Sequence, residues 1–496
     1  MTASEILDRP AEASHVSPRL LAASVFLVAT LGAFLISGPS LTQPPVWDGA
    51  MSVYPAAIEL VRSDFNFPYV LSLPKHFEGG PNTHTISPWT LLVAFGISQT
   101  GDLESLLPVL HIASLLLYGA TCLAIFYIVR RSSGDRLALL ASVVAGLFPP
   151  LLVQATDIYL DLPVACLTIW AIYTLLIRRF RLSSVLIALA IWFKPTGAIY
   201  IPMLVAHSLR YGPPRRKAVH TAGVVSLPLG VLVAVSSFAT PVGVESSPLP
   251  RLLSAWNTTG HYLASVPDTL FIVVVAIGLV TWCLKRGLTE PMEMAIFVLA
   301  GAFGFALFNG LTTIGIPLVP RYYIGIIPVV IAGVITQFAT FRRKWAAVAA
   351  SIMAIVFIAN FSGRLYPYGD HATYSVAERS FAYRNLLEIQ RLGIVRLEQI
   401  GQFQTVLYDY FRFYQFSYPE MGYTRGPPQS GLSVFHTGRL TLTDLPDRFA
   451  FLYEYPTIGG EHLLALWDEA KASNATVSET PIRSGRFTVY IVEVDQ

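Results

Sequence analysis

The sequence predicts a polytopic α-helical membrane protein of about eleven crossings, followed by an extracytoplasmic carboxy-terminal α/β domain. Three observations predict it. Hydrophobic residues make up 53% of the 496 residues and charged residues only 13%, with a mean hydropathy of +0.55; a soluble domain carries about 25% charged residues. The basic clusters Arg130/Arg131/Arg136, Arg178/Arg179/Arg181, Arg210/Arg215/Arg216/Lys217, Lys285/Arg286 and Arg342/Arg343/Lys344 all fall between apolar segments in positions that one side of a membrane can hold. Basic loops stay cytoplasmic, so those clusters face in and the remaining loops face out. After residue 361 the long apolar runs give way to short alternating stretches.

Residues 1–17 are polar and are expected in the cytoplasm. The apolar run that follows has the length of a signal peptide, but SGPSLTQPP is a poor cleavage site, so 18–38 is expected to remain as a first outward span. An outer loop covers 39–85, and 105–129 returns to the first basic cluster. Between them Trp89–Ile97 is too short to cross and is expected to lie half-inserted. Segment 137–153 goes out and 162–177 returns. Basic clusters flank 182–209 at both ends, which demands a hairpin of two short helices with Lys-Pro-Thr-Gly, Lys194 to Gly197, at its tip. Segments 218–239, 269–284, 291–309, 322–341 and 345–361 complete the crossings. The transmembrane domain is therefore 18–361 and the outer domain 362–496.

In the outer domain RFTVYIVEV and GRLTLTDL read as strands, and Ser375–Leu392 and Glu461–Ala472 as helices. Cys122, Cys166 and Cys283 lie in apolar segments without CxxC spacing and read as packing residues. No P-loop, Rossmann glycine fingerprint or HExxH pair is present, which removes ATP-driven and zinc-protease readings. The net charge of +3 is spent on topology and argues for no nucleic-acid partner.

The outer loops carry most of the residues able to do chemistry, including Asp48, Glu59, His84, Asp157, Asp161 and Arg321. Lys194 stands within an apolar stretch, where a Lys costs about 2.5–3.5 kcal/mol on insertion scales, so it is read as functional, with snorkelling from the hairpin tip as the alternative. Arg321 is isolated from other outer-side arginines; an interface anchor is its other reading. Asp157 and Asp161 are one helical turn apart and would share a face if their loop is helical. Asp161, before Leu162 and Pro163, is also a good helix cap. Asp48 before Gly49 is a candidate base, with a turn residue as its other reading.

PPVWDG, HTISPWTLLVAFG, TDIYLDLPVACLTIWAIY, LIALAIWFKPTGAIYIP and PRYYIGIIPVVIAG occur in this order. Order and residues resemble the GT-C superfamily of membrane glycosyltransferases, in particular the branch of protein O-mannosyltransferases and lipid A aminoarabinose transferases, over 18–361. The resemblance implies an inverting glycosyltransferase of a bacterial or archaeal plasma membrane. It would move a sugar from a polyprenyl-phosphate donor to a glycolipid, polysaccharide or protein hydroxyl at the outer, lipid-lined face. It implies Asp48 as general base and Lys194, Arg321 and His84 as ligands of the donor phosphate. Asp157, Asp161 and Glu59 are left for the acceptor or a cation. Gly49 stands where some relatives have a second carboxylate, so no cofactor is fixed: a divalent cation is allowed, with Glu59 in place of the missing carboxylate, but is not favoured. Two other classes stay open: a transporter or flippase of a lipid-linked or anionic substrate, and a non-catalytic scaffold subunit of a cell-envelope complex.

Overall fold

The computed structural model describes residues 17–37, 41–45, 49–73, 86–214, 217–237, 267–283, 287–312, 320–361, 383–401, 404–408, 410–426, 430–434, 441–455, 461–484 and 487–496. Asp48 and His84 lie outside them. The chain divides into two compact units: Met1–Ile36, Ser114–Ala155 and Asp161–Arg364 form the first, and Ser37–Ala113, Thr156–Leu160 and Leu365–Gln496 the second.

The helices of the first unit begin with α1 (Pro18–Ser37). Helix α2 (Tyr54–Arg62), α3 (Phe67–Ser72) and α4 (Pro88–Thr100) belong to the second unit. Helix α5 (Leu107–Ser133) is about 40 Å long at 1.5 Å per residue, more than a bilayer core requires. The expected span 137–153 is two helices, α6 (Asp135–Gly146) and α7 (Pro149–Gln154). Pro149 and Pro150 cause the break, because each ring clashes with the carbonyl four residues back and each lacks an N–H.

Helix α8 (Asp161–Leu176) packs against α9 (Phe180–Phe193). A 3-10 turn over Pro195–Tyr200 and α10 (Ile201–Tyr211) complete the two-helix hairpin. Helices α11 (Lys217–Ser237), α12 (Pro267–Cys283) and α13 (Glu290–Thr312) follow. A 3-10 turn over Pro320–Ile324 then precedes α14 (Ile327–Phe341) and α15 (Arg343–Phe361).

Among the described residues three helices are long and apolar enough to cross a membrane: Pro18–Leu35, Leu107–Ser133 and Lys217–Ala234. Their outward faces are apolar. Leu27, Val28, Leu31 and Leu35 of α1, Val109, Ile112 and Leu116 of α5 and Val219 and Val233 of α11 are all exposed. A water-soluble monomer rarely exposes apolar side chains in such continuous stripes, whereas hydrocarbon accepts them without penalty.

In the second unit, α16 (Tyr383–Ile400), β1 (Thr405–Tyr408), α17 (Tyr410–Ser417), β2 (Gly431–Ser433), β3 (Arg448–Tyr455), α18 (Glu461–Ala472), β4 (Thr476–Ser484) and β5 (Phe487–Asp495) build a mixed sheet. Its order is β2-β1-β3-β5-β4, with β1 parallel to both neighbours and the β3–β5 and β5–β4 pairs antiparallel. Alternation sorts the side chains. Phe449, Phe451, Tyr453, Val492 and Val494 pack with Leu463, Leu466 and Trp467 of α18, while α16 lies on the opposite face, its Gly393 against Leu452 and Val489. The expected strand RFTVYIVEV is β5. The stretch GRLTLTDL is not a strand where it is described, from Thr441 onward. Thr441 and Asp444 close a capping box over a 3-10 turn, so local hydrogen bonding takes the backbone groups a ladder would use.

Candidate active site

Prolines place the charged residues of the first unit. Pro195 cannot extend α9, because its ring would meet the carbonyl of Ile191. Lys194 therefore leaves the helix in extended conformation, φ −158° and ψ 133°, as a residue before proline should. The chain then folds back so closely that a Cβ at Gly197 would lie 2.7 Å from the Ile191 nitrogen and 2.8 Å from the Ala190 carbonyl carbon; only glycine fits. Pro163 has the same effect on α8. A helix running back through Leu160 would drive the Pro163 ring into the carbonyl of Tyr159, so α8 begins at Asp161. Residues 157–160 are not helical, so the condition under which Asp157 and Asp161 would share a helix face is not met.

Three of the expected site residues meet. Lys194 Nζ donates to both carboxylate oxygens of Asp161 at 2.9 Å. Arg321 Nε lies 3.6 Å from Asp161 Oδ2. The Asp161 side chain is 3% exposed, Lys194 14% and Arg321 10%, so the group is largely dry. Tyr322 completes it: its ring centre lies 4.5 Å from Lys194 Nζ and 5.6 Å from Arg321 Cζ, near enough for its π-face to attract both cations. Nothing in the local sequence assigns this role to Tyr322, although it lies in the Pro-Arg-Tyr-Tyr run that contains Arg321. The turn Pro320–Ile324 packs on α7 and α8, which ties the Arg321 backbone to the helix that carries Asp161. Among the described residues this group counts two cations to one carboxylate. Such a pair of fixed positive charges can hold an oxyanion and stabilise charge that grows on it.

Glu59 and Asp157 lie in the second unit. Glu59, on α2, accepts from Arg62 Nη1 at 2.9 Å, and the same guanidinium reaches Glu420 at 2.5 Å through Nη2. Asp157 is 5% exposed. Burial pushes the phenols of Tyr54 and Tyr423 well above their usual range, and the charge of Asp157 pushes both the same way, which puts its carboxylate in their neighbourhood. Tyr54 Oη donates to the Ile158 carbonyl at 2.9 Å and accepts from Trp89 Nε1 at 3.3 Å. Among the described residues no cluster of three or more His, Cys, Asp or Glu suited to a metal ion is found.

The sequence matches no protein-family model and no curated protein. Three solved structures resemble the fold. ArnT from Cupriavidus metallidurans bound to undecaprenyl phosphate aligns with TM-score 0.45 and 14% identity over 95% of this chain and 97% of its own. Its apo state gives 0.46 and 15% over 96% and 98%. The oligosaccharyltransferase AglB from Archaeoglobus fulgidus, in complex with an inhibitory peptide and a dolichol-phosphate, gives 0.49 and 12% over 87% of this chain and 69% of its own.

Proposed function

We propose that this chain is an inverting membrane glycosyltransferase that uses a polyprenyl-phosphate sugar donor. The observation that carries the reading is the convergence of Lys194 and Arg321 on buried Asp161, at the ends of apolar helices. A charge placed there costs insertion free energy, and two cations gathered at one point are the chemistry a lipid phosphate requires. The sequence resemblance over 18–361 points the same way.

In the reaction an acceptor hydroxyl attacks the anomeric carbon. The new C–O bond forms as the bond to phosphate breaks, and the electron pair stays on the leaving phosphate oxygen, whose charge rises by about one unit. Lys194 and Arg321 meet that charge, and Asp161 holds the two cations in place before the donor arrives. His84 is a further phosphate ligand. Asp48 takes the hydroxyl proton, since an uncharged hydroxyl is a poor nucleophile. Asp157 and Glu59 are proposed to act on the acceptor side. The acceptor is a glycolipid, polysaccharide or protein hydroxyl, and the site belongs to the outer face of the plasma membrane.

The test is transfer of labelled sugar from a panel of polyprenyl-phosphate donors into membrane extracts, comparing the intact protein with Asp48→Asn and Lys194→Ala. Transfer that is lost in Asp48→Asn at unchanged protein level is the expected result. Transfer that survives removes Asp48 as base. Translocation of the lipid-linked sugar without transfer to any acceptor would replace the enzyme with a flippase.

A further inference from the structure

The second unit joins the first outer loop to the carboxy-terminal domain, and its contacts converge on one short stretch of backbone. The chain from Leu41 to Pro45 has no regular structure of its own, so its carbonyls need partners from elsewhere. Two are supplied by distant side chains. Tyr423 Oη donates to the Pro45 carbonyl at 2.7 Å, and His111 Nε2 lies 3.2 Å from the Gln43 carbonyl. On the other side Gly49 is enclosed: a Cβ placed there would lie 3.5 Å from Tyr159, 3.6 Å from Pro45 and 3.6 Å from Tyr54. Tyr54 is itself fixed by Ile158 and Trp89.

The segment that reaches the loop is built for it. Gly422 turns at φ +81°, a conformation that favours glycine, directly after the 3-10 turn Pro419–Met421. That turn delivers Tyr418, Glu420 and Tyr423 together. Glu420 accepts from Arg62 Nε at 3.0 Å and Nη2 at 2.5 Å, and Arg62 Cζ lies 5.3 Å from the Tyr418 ring centre. Helix α17 packs on the π-helical turn Gly49–Val53. Tyr423 is 2% exposed, and a phenol buried so deeply is held by its hydrogen bond, since leaving it unmade costs the full desolvation of both groups.

We propose that the carboxy-terminal domain is a working part of the transferase, with Tyr423 and Glu420 as positioning residues for the outer-loop backbone at Gln43–Pro45 and Gly49. This rests on the function proposed above, because Asp48 falls between those residues by sequence. In this inference Tyr423 acts through the Pro45 carbonyl, to which it donates. Loss of its hydroxyl should slow the chemical step and leave donor binding alone, because a misplacement on the order of 1 Å costs about a hundredfold in rate while the phosphate is held elsewhere.

The experiment uses the full chain in detergent, with Tyr423→Phe and Glu420→Gln beside Lys194→Ala. For Tyr423→Phe, kcat should fall by about tenfold to a hundredfold with donor KM changed by less than about twofold; Lys194→Ala should raise donor KM instead. Amide hydrogen exchange at residues 41–62 should quicken in Tyr423→Phe and Glu420→Gln while the helices of the first unit exchange as before. An unchanged kcat and unchanged exchange in Tyr423→Phe overturn the inference while the wild type still transfers sugar. A donor KM that rises with kcat intact overturns it as well, by making Tyr423 a binding residue. Wild type that transfers from no donor overturns the function and, with it, this inference.

Discussion

Replacing Asp161 with Asn keeps the shape of the side chain and removes its charge, which leaves Lys194 and Arg321 facing each other across a neutral amide. With an effective dielectric constant of about 20, a carboxylate attracts a cation 2.9 Å away by about 6 kcal/mol and one 3.6 Å away by about 5 kcal/mol. Most of that is offset by the cost of drying three charged groups. Removing one partner of a buried pair leaves a net loss of about 3–5 kcal/mol. Asp161→Asn should lower the thermal midpoint in detergent, compared at one scan rate, by that loss. Lys194→Met should cost less, because Asp161 keeps Arg321. The double variant Asp161→Asn/Lys194→Met should be less destabilised than the sum of the singles by roughly 1–3 kcal/mol, the coupling expected of charges in direct contact. An anion can take the place of the carboxylate. Added polyprenyl phosphate at about a hundred times the wild-type Kd should stabilise the wild type by about 2.7 kcal/mol, and Asp161→Asn by more at that same concentration. A midpoint unchanged in Asp161→Asn, or singles that add up in the double, would refute the claim that this carboxylate holds the two cations.

Gly197→Ala forces a Cβ against backbone atoms 2.7 and 2.8 Å away, whereas at Gly325 the nearest atom is the Tyr200 hydroxyl at 2.5 Å, the far end of a side chain. Thermal melts should therefore show Gly197→Ala costing about 2–3 kcal/mol and Gly325→Ala less; the reverse order would remove the close turn as the device that sets Lys194. On the other charged cluster of the first unit, Arg178 reaches His207 Nε2 at 2.5 Å, pairs with Glu290 and lies 3.7 Å from the Tyr211 ring centre. Arg178→Ala, which loses a partly exposed pair and its ring contact, should cost about 1–2 kcal/mol, and Arg210→Ala, whose side chain is 57% exposed, less than about 1 kcal/mol in the same melts. Burial raises the phenols of Tyr54, Tyr418 and Tyr423 above the ordinary value of 10.0. A raised folded pKa gives stability that is complete below the unfolded value and is lost as pH climbs past it. The second unit should thus unfold progressively above pH 10.0, with phenolate absorbance rising in step; Tyr54→Phe should make that loss shallower, and phenolate that forms before any unfolding would contradict the burial.

How far the sequence reveals this arrangement depends on the range of the interaction. Lys194 is legible because a lone ammonium in an apolar run is costly wherever the chain goes, and Arg321 because no other outer-side arginine shares its neighbourhood. Their common partner is not. Asp161 lies 33 residues from Lys194 and on another helix, and from its local context it serves equally as a cap. The break at Pro149–Pro150 and the return after Pro195 follow from proline chemistry and are readable locally. The spacing of Asp157 and Asp161 misleads for the same kind of reason: four residues mean one face only within a helix, and Pro163 keeps the helix from running back that far. In the second unit β5 shows itself by alternation. GRLTLTDL alternates too, yet Thr441 and Asp444 bond locally and win. The contact of Tyr423 with Pro45 spans 378 residues and joins two polar, irregular segments with no periodicity to announce them. Sequence pattern thus reveals what a residue must avoid, such as lipid around a charge or a helix around a proline, and tertiary structure decides which partner relieves it. A candidate site is legible at its most costly residue first and at its supporting residues last.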